Sequence, residues 1–344
     1  MMERRGFLQA GMVLAIAPIV ELDARASAAP AGFDMKRIAG PLPGKRINVI
    51  RAIRRSRPTQ PSPVLYVHGG TFAAGLAVGW RFDGRSWMDD LADAGFDVWG
   101  FDFLGFGGSD RYDEMAQPAA ASKALGRTPL ACRQIDTVAR HILAVTGARR
   151  VHLVAHSWGT QPAAKFAGDA PGLVDRLVLF GAILERQPGI AVVADPDTLP
   201  GYTTITVDAQ WKRFTEDVPK DHPPVLLERH FKPWSAAYLD TDPASRNRTP
   251  PAVQTPLGPV ADFAAAWRGH LSYDPGAVKA PTMLVRGEWD SLCDDRDAAW
   301  FMHRFTNAAG KRDVKIPAGT HLAHLEESRI DLWRTTREFL IDAL

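Results

Sequence analysis

The sequence predicts an α/β fold in which a mostly parallel central sheet is flanked by helices and carries an inserted, mainly helical cap. Short apolar runs rich in β-branched residues alternate with amphipathic segments along most of the chain. The apolar runs are continuous rather than alternating, which indicates strands covered on both faces, as in a parallel sheet. One long interval breaks the alternation and holds many prolines and aromatic residues, which indicates an insertion.

The core elements follow one another in a regular order. The opening pair of strands is predicted within Phe33–Arg54, with a turn at Pro41–Gly44. The later strands are predicted at Val64–Val67, Asp97–Phe103, Val151–Ala155, Leu177–Phe180, Thr282–Val285 and Val314–Ile316. Amphipathic spacing predicts the helices Trp87–Ala94, Leu130–Thr146, Thr160–Ala170 and Ala298–Asn307.

The interval 186–273 is expected to form the cap, so that 29–185 and 274–344 are the two parts of the core. No apolar run in it is comparable to the core strands. Its aromatic residues include Trp211, Trp234 and Trp267, which we expect to contact an apolar or aromatic substrate. Aromatic residues in such an insertion also build its own core, and this is the alternative.

Composition excludes several classes of protein. The chain has 344 residues, of which 46% are hydrophobic and 23% charged, as is ordinary for a globular protein with a large core. The net charge is only +2 and is spread along the chain, so we expect no nucleic-acid partner. Two cysteines, Cys132 and Cys293, are too few for a disulfide scaffold, and they lack the spacing of a zinc or redox motif. Whether they pair with each other stays open.

The N-terminus resembles a twin-arginine export signal. Arginines at positions 4 and 5 precede Phe-Leu, an apolar stretch from 10 to 20 and small residues suited to cleavage. We therefore expect residues 1–28 to be a signal peptide and the mature protein to be periplasmic or secreted. The apolar stretch is too short to span a bilayer, so no stable membrane span is expected in the mature protein. A cytoplasmic protein that begins at Met35 is the alternative.

A serine follows one predicted strand directly and precedes a helix. Ala155-His-Ser157-Trp-Gly159 matches the spacing of G-x-S-x-G, with alanine in place of the first glycine. A sharp turn between strand and helix projects such a hydroxyl above the edge of the sheet. Ser157 is therefore the candidate nucleophile, whereas a serine that caps a helix is the alternative for this pentapeptide taken alone.

An acid and a histidine follow two later strands. Asp290 comes after the run that begins at Thr282, and His321 comes after the run that ends at Ile316. Serine, acid and histidine thus each follow the C-terminal end of a strand, and catalytic groups gather at that edge of an open sheet. A serine attacks only when a histidine takes its proton, and a carboxylate holds the histidine in the required tautomer. The order predicts a Ser157, His321, Asp290 triad.

Three more segments complete a resemblance to the α/β-hydrolase family that covers nearly the whole mature chain. His68-Gly-Gly70, the loop Asp102–Asp110 and the segment Gly319–Glu326 are similar to that family's motifs and stand in its order. The resemblance implies an oxyanion hole made of the backbone NH of Trp158 and one NH of the turn that follows His68, with Gly70 and Thr71 as candidates. It also implies no metal and no organic cofactor.

Neighbouring residues are rivals for these roles. His324 is the alternative base, and the alternative acids are Glu185 and, less favoured, Asp294 and Asp295. His156 and His68 are expected to be structural.

The predicted activity is hydrolysis of a carboxylic ester or lactone of a small, apolar or aromatic molecule through an acyl-enzyme. A carbon-carbon bond hydrolase and a perhydrolase would use the same triad and are alternatives. A ligand-binding, receptor-like protein with little turnover is the alternative from a different class. The sequence does not indicate an oligomeric state.

Overall fold

The computed structural model describes residues 32–53, 57–186, 194–226 and 228–342, so the predicted signal peptide lies outside it. Within the described chain the strands are β1 (Phe33–Ala39), β2 (Arg46–Ala52), β3 (Val64–Val67), β4 (Val98–Phe101), β5 (Val151–His156), β6 (Val174–Phe180), β7 (Tyr202–Thr206), β8 (Ala252–Pro256), β9 (Thr282–Gly287) and β10 (Lys311–Ile316). Eight of them form one sheet in the order β1-β2-β4-β3-β5-β6-β9-β10. Only the β1–β2 and β2–β4 pairs of this sheet are antiparallel, which confirms the predicted mostly parallel sheet.

Helices cover both faces of this sheet. They are α1 (Trp87–Asp93), α2 (Thr128–Thr146), α3 (Thr160–Asp169), α4 (Val207–Thr215), α5 (Glu228–Asp240), α6 (Gly258–Ala266), α7 (Asp295–Arg304) and α8 (Arg329–Ile341). Apolar residues of α2, α3 and α7 pack in the core on one face, and those of α1 and α8 pack on the other. The continuous apolar strands are therefore buried on both sides, as their sequences predict.

Capping residues set where two of these helices begin and end. The Asp294 side chain accepts the backbone NH groups of Arg296 and Asp297, so α7 begins at Asp295, three residues before the predicted start. Gly147, at a φ of 73°, ends α2 in the left-handed conformation that glycine adopts without strain.

The cap interval contains α4, α5 and α6, but also the antiparallel pair β7–β8. No strand was predicted here, although the interval was described as only mainly helical. β7 has the sequence Tyr-Thr-Thr-Ile-Thr, which contains no apolar run of the kind that marks the core strands. This composition suits a strand that is half-exposed. In the part of the chain that the structure describes, no helix combines the length and apolar character needed to cross a bilayer.

Candidate active site

Ser157 lies on a sharp turn between β5 and α3. Its φ is 57°, a left-handed value that non-glycine residues rarely adopt, and such strain is typical of an exposed nucleophile between strand and helix. Space at this turn is limited, because a Cβ on Gly159 would lie 2.3 Å from the carbonyl oxygen of His68. Ala155, in place of the usual glycine, is fully buried at the end of β5 and is accommodated there.

Ser157, His321 and Asp290 form one row of hydrogen bonds. The Oγ of Ser157 lies 2.8 Å from Nε2 of His321, and Nδ1 of His321 lies 3.0 Å from each carboxylate oxygen of Asp290. The carboxylate can only accept, so Nδ1 carries the proton and Nε2 is left to accept the serine hydroxyl. The three residues follow β5, β10 and β9, at the C-terminal edge of the sheet.

Asp290 is held by the loop that follows β9. It is 3% exposed, and its Oδ1 accepts the backbone NH groups of Leu292 at 2.9 Å and Cys293 at 3.1 Å. These bonds orient the carboxylate toward the imidazole. Among the rival acids, Glu185 faces Arg304 at 4.0 Å, while Asp294 caps α7.

Gly181 leaves room for this pair of side chains and was not among the predicted site residues. It follows β6 at a φ of 55°, and a Cβ there would lie 3.0 Å from both Oδ2 of Asp290 and Nδ1 of His321. Any side chain would therefore crowd the hydrogen bond that fixes the histidine. A glycine directly after a buried strand at the catalytic edge is the sequence signal for such a role.

Free backbone NH groups lie beside Ser157. Within the described residues, the NH groups of Trp158, Gly70, Thr71 and Phe72 donate to no acceptor. The glycine turn approaches Ser157 closely, since a Cβ on Gly69 would be 3.0 Å from the Cβ of Ser157. Unused NH donors at this place suit an oxyanion hole. They include the candidates Trp158, Gly70 and Thr71, but they do not show which NH of the turn would serve.

His68 holds this turn in place. Its Nε2 accepts the backbone NH of Phe103 at 3.0 Å, so its Nδ1 carries the proton and donates to the carbonyl oxygen of Gly69 at 2.7 Å. Burial lowers the pKa of His68, which favours the neutral ring that these bonds need. The residue joins the loops after β3 and β4.

His156 and His324 pack beside His321 without reaching Ser157. Nε2 of His156 donates to the carbonyl oxygen of His321 at 3.0 Å, which fixes the segment that carries His321. His324 is 1% exposed, and neither of its ring nitrogens has a hydrogen-bond partner among the described residues. Its ring stacks on Phe72 and meets Phe180 edge to face. Burial and the neighbouring His321 lower the pKa of His324 to about 3.

His324→Phe is expected to make the protein less sensitive to acid. A histidine in an unfolded chain has a pKa of about 6.5. Between that value and about 3 the unfolded state binds one more proton at His324, so stability falls as the pH falls. The variant should remove about 1.4 kcal/mol per pH unit of this slope between pH 6 and pH 4. Urea unfolding at several pH values measures it.

The exposed His303 provides the matched control, because His303→Gln removes a histidine that the fold does not bury. Burial raises the pKa of Glu326 to about 7, which gives a slope of the opposite sign. That contribution is common to the wild type and the variants and cancels in their difference. Parallel curves for wild type and His324→Phe would contradict the prediction.

Glu326 fixes the start of the histidine segment. Its Oε2 accepts the backbone NH of Thr320 at 2.9 Å, and its Oε1 accepts the Thr320 hydroxyl. This glutamate belongs to the family segment Gly319–Glu326, but its role could not be predicted from its position alone. Its place in that segment, five residues after the histidine, was the available signal.

Asp262, on α6, connects the cap to the turn that carries Ser157. Its Oδ2 accepts the indole Nε1 of Trp158 at 3.0 Å and the backbone NH and hydroxyl of Thr128 at 2.6 and 2.7 Å, and its Oδ1 accepts Nε of Arg127. It is 2% exposed. No sequence pattern marked it, because it lies in the cap and its partners are far away in the chain.

The three tryptophans proposed as substrate contacts differ in their surroundings. Trp234 is buried between Phe214, Phe231 and Tyr238, and its indole NH donates to the carbonyl oxygen of Leu76 at 2.9 Å. It therefore packs as a core residue in this structure, as in the alternative given for aromatic residues of the cap.

Trp211 and Trp267 have different neighbours. Trp267 is 8% exposed, and the guanidinium of Arg186 lies 3.8 Å from its ring. Trp211 is half-buried and keeps an accessible surface next to Phe231. A substrate contact stays a prediction for these two residues.

Both cysteines are free and buried, so they do not pair with each other. Burial raises the pKa of the Cys132 thiol to about 12 and raises the pKa of Cys293 well above its usual value. Neither thiol is suited to act as a nucleophile at neutral pH.

A family model for the α/β hydrolase fold matches residues 62–328. A search of curated proteins finds no significant match. Among solved structures, the chain is similar to a serine hydrolase, CCSP0084, from the polyaromatic hydrocarbon-degrading bacterium Cycloclasticus zankles. The TM-score is 0.62 and the identity 13%, over 91% of this chain and 100% of that one.

Two further structures are comparably similar. Carboxylesterase CesB from Bacillus subtilis has a TM-score of 0.57 and 13% identity, over 92% of this chain and 94% of that one. The 2-hydroxy-6-oxo-6-phenylhexa-2,4-dienoate hydrolase of Rhodococcus has a TM-score of 0.57 and 16% identity, over 90% and 100%. At these identities the similarity establishes the fold alone.

Proposed function

Because the chain belongs to the α/β hydrolase fold family, we propose that it is a serine hydrolase that cleaves a carboxylic ester or lactone of a small molecule. Ser157 is the nucleophile, His321 the general base and Asp290 the carboxylate that orients the base. The observation that carries this proposal is the continuous hydrogen-bonded row from the Ser157 hydroxyl through both ring nitrogens of His321 to a buried carboxylate.

The reaction proceeds in two steps on this row. Oγ of Ser157 bonds to the carbonyl carbon while Nε2 of His321 takes its proton, and the carbonyl oxygen becomes an oxyanion beside the free NH groups. The carbon-oxygen bond of the ester then breaks, and the leaving alkoxide takes the proton from Nε2. A water molecule gives a proton to the same nitrogen and attacks the acyl-enzyme. The bond between the acyl carbon and Oγ then breaks, the acid is released, and Nε2 returns the proton to Oγ of Ser157. Asp290 stabilises the imidazolium in each step.

A fluorophosphonate probe tests the nucleophile directly. We expect the intact mass of the protein to increase by one phosphonyl group, and we expect Ser157→Ala to prevent this labelling, because the probe reacts only with an activated serine. Turnover is then measured on p-nitrophenyl acetate, butyrate and octanoate and on a simple lactone. Short to medium acyl chains are the expected substrates.

Two outcomes would contradict the proposal. Labelling that persists in Ser157→Ala would place the reactive group elsewhere. Stoichiometric labelling at Ser157 without turnover of any ester or lactone would favour a receptor-like protein. The same triad also serves carbon-carbon bond hydrolysis. Turnover of a vinylogous β-diketone without cleavage of any ester would therefore identify the protein as a carbon-carbon bond hydrolase instead of an esterase.

A further inference from the structure

Arg213 is a half-buried cation whose hydrogen-bond partners are both neutral. It lies on α4, and its Nη1 donates to Oγ1 of Thr71 and to Oε1 of Gln210, each at 2.8 Å. Within the described residues, its Nε and Nη2 make no hydrogen bond. The guanidinium group thus keeps donors in the planar arrangement that binds a carboxylate through two parallel bonds.

Two other arginines with little exposed side chain are neutralised by carboxylates. Arg186 pairs with Asp297 at 2.6 Å, and Arg286 pairs with Asp313 at 2.9 Å. No described carboxylate lies within 4.0 Å of the Arg213 guanidinium. A partly buried cation without a charged partner is unfavourable, so an anion bound at this position would be stabilised.

Two acidic residues follow α4, but neither forms an ion pair with Arg213. Glu216 and Asp217 raise the pKa of Arg213, while burial, the larger effect, lowers it. Asp217 uses its Oδ2 to accept the backbone NH of Ser291 at 3.2 Å. The guanidinium of an arginine stays protonated at neutral pH even when burial lowers its pKa.

The position of Arg213 connects it to the reaction. Thr71 belongs to the turn of free NH groups beside Ser157, and covalent geometry places Nη1 of Arg213 within roughly 6–7 Å of the Thr71 nitrogen. A carbonyl oxygen in the oxyanion hole lies about 3 Å from its donors. Arg213 thus contacts the same turn that supplies the candidate oxyanion donors, so a substrate held by that turn would lie close to the guanidinium.

We propose that Arg213 binds a carboxylate in the acyl part of the substrate, so that the preferred substrates are hemi-esters of short dicarboxylic acids. This inference rests on the proposed function and adds the substrate class. Arg213 thereby selects the acyl group and positions its carbonyl carbon over Ser157.

The experiment compares two esters of equal shape. Monophenyl succinate carries a carboxylate where phenyl 4-methylpentanoate carries an isopropyl group. We expect the wild type to have at least about tenfold higher kcat/KM for the succinate, the factor that a charge-assisted hydrogen bond supplies. Arg213→Gln should lower this ratio by at least about tenfold, and Arg213→Lys should retain part of it.

Lys212→Gln is the matched control. It removes the same charge from the same helix, but Lys212 is exposed, so the ratio of the two esters should stay at the wild-type value. Thermal unfolding of each variant checks the fold. A wild type without preference for the succinate would overturn the inference, and so would an Arg213→Gln variant that loses both esters equally.

A binding experiment separates this inference from the proposed function. Titration of Ser157→Ala with succinate is expected to show binding, which Ser157→Ala/Arg213→Gln should lose. If neither ester is cleaved but this difference is found, the anion site stands and the ester hydrolase proposal fails. If both esters are cleaved and succinate binds neither protein, the hydrolase proposal stands and the anion site is rejected.

Discussion

Ser157→Ala and His321→Ala are each expected to lower kcat for an activated ester by about 10⁶-fold, and the double variant should lose little more. The reason is the 2.8 Å bond between Oγ and Nε2, because neither group forms the acyl-enzyme without the other. A residual rate about 10³-fold or more above the uncatalysed reaction should remain from the oxyanion hole and substrate binding.

Steady-state kinetics of the four proteins on p-nitrophenyl butyrate measures this coupling. Active-site labelling confirms that no wild-type enzyme contaminates the variants, since at such small rates a trace would dominate. If the fold-reduction in kcat of the double variant equals the product of the two single reductions, the residues act independently. That result would contradict a serine activated by this histidine.

Asp290→Asn is expected to lower kcat by about 10⁴-fold with little change in KM. Oδ1 of Asp290 already accepts two backbone NH groups, so the asparagine oxygen will keep those bonds and turn its NH₂ group toward Nδ1 of His321. The ring must then carry its proton on Nε2. In that tautomer it cannot take the proton of Ser157.

Asp294→Asn is the control for this variant, because Asp294 caps α7 and does not contact His321. It should leave kcat within a few-fold of the wild type, with a modest loss of stability from the weaker cap. An Asp290→Asn enzyme that keeps more than about a tenth of wild-type kcat, against the typical loss for this exchange, would show that another group orients the histidine.

The core sheet and the candidate triad were predictable because each depends on a local pattern. Ser157, Asp290 and His321 each follow a short apolar strand, and parallel strands bring their C-terminal ends to one edge. Whether Asp290 or Glu185 pairs with the histidine depends on the geometry of the loops. The sequence favoured Asp290, and in the structure its carboxylate oxygens lie 3.0 Å from Nδ1 of His321.

Other features depend on contacts between distant segments. Arg213 and Asp262 lie in the cap, where no periodic pattern predicts which side chains face the core. The pair β7–β8 was missed because threonines, rather than apolar residues, fill β7. α8 was missed although its buried residues Leu332, Trp333, Phe339 and Leu340 follow helical spacing. That signal was present in the sequence and was not used.

The hydrogen bonds of Asp262 hold α6 to the core, whereas the other cap helices, α4 and α5, do not take part in them. This carboxylate would lose the indole of Trp158, the first turn of α2 and Arg127 if α6 swung outward, and separating a buried charge from its donors is strongly unfavourable. α6 therefore moves with the sheet as a fixed wall. A movement of the cap that keeps these hydrogen bonds intact would therefore involve α4 and α5, the helices that Asp262 does not hold.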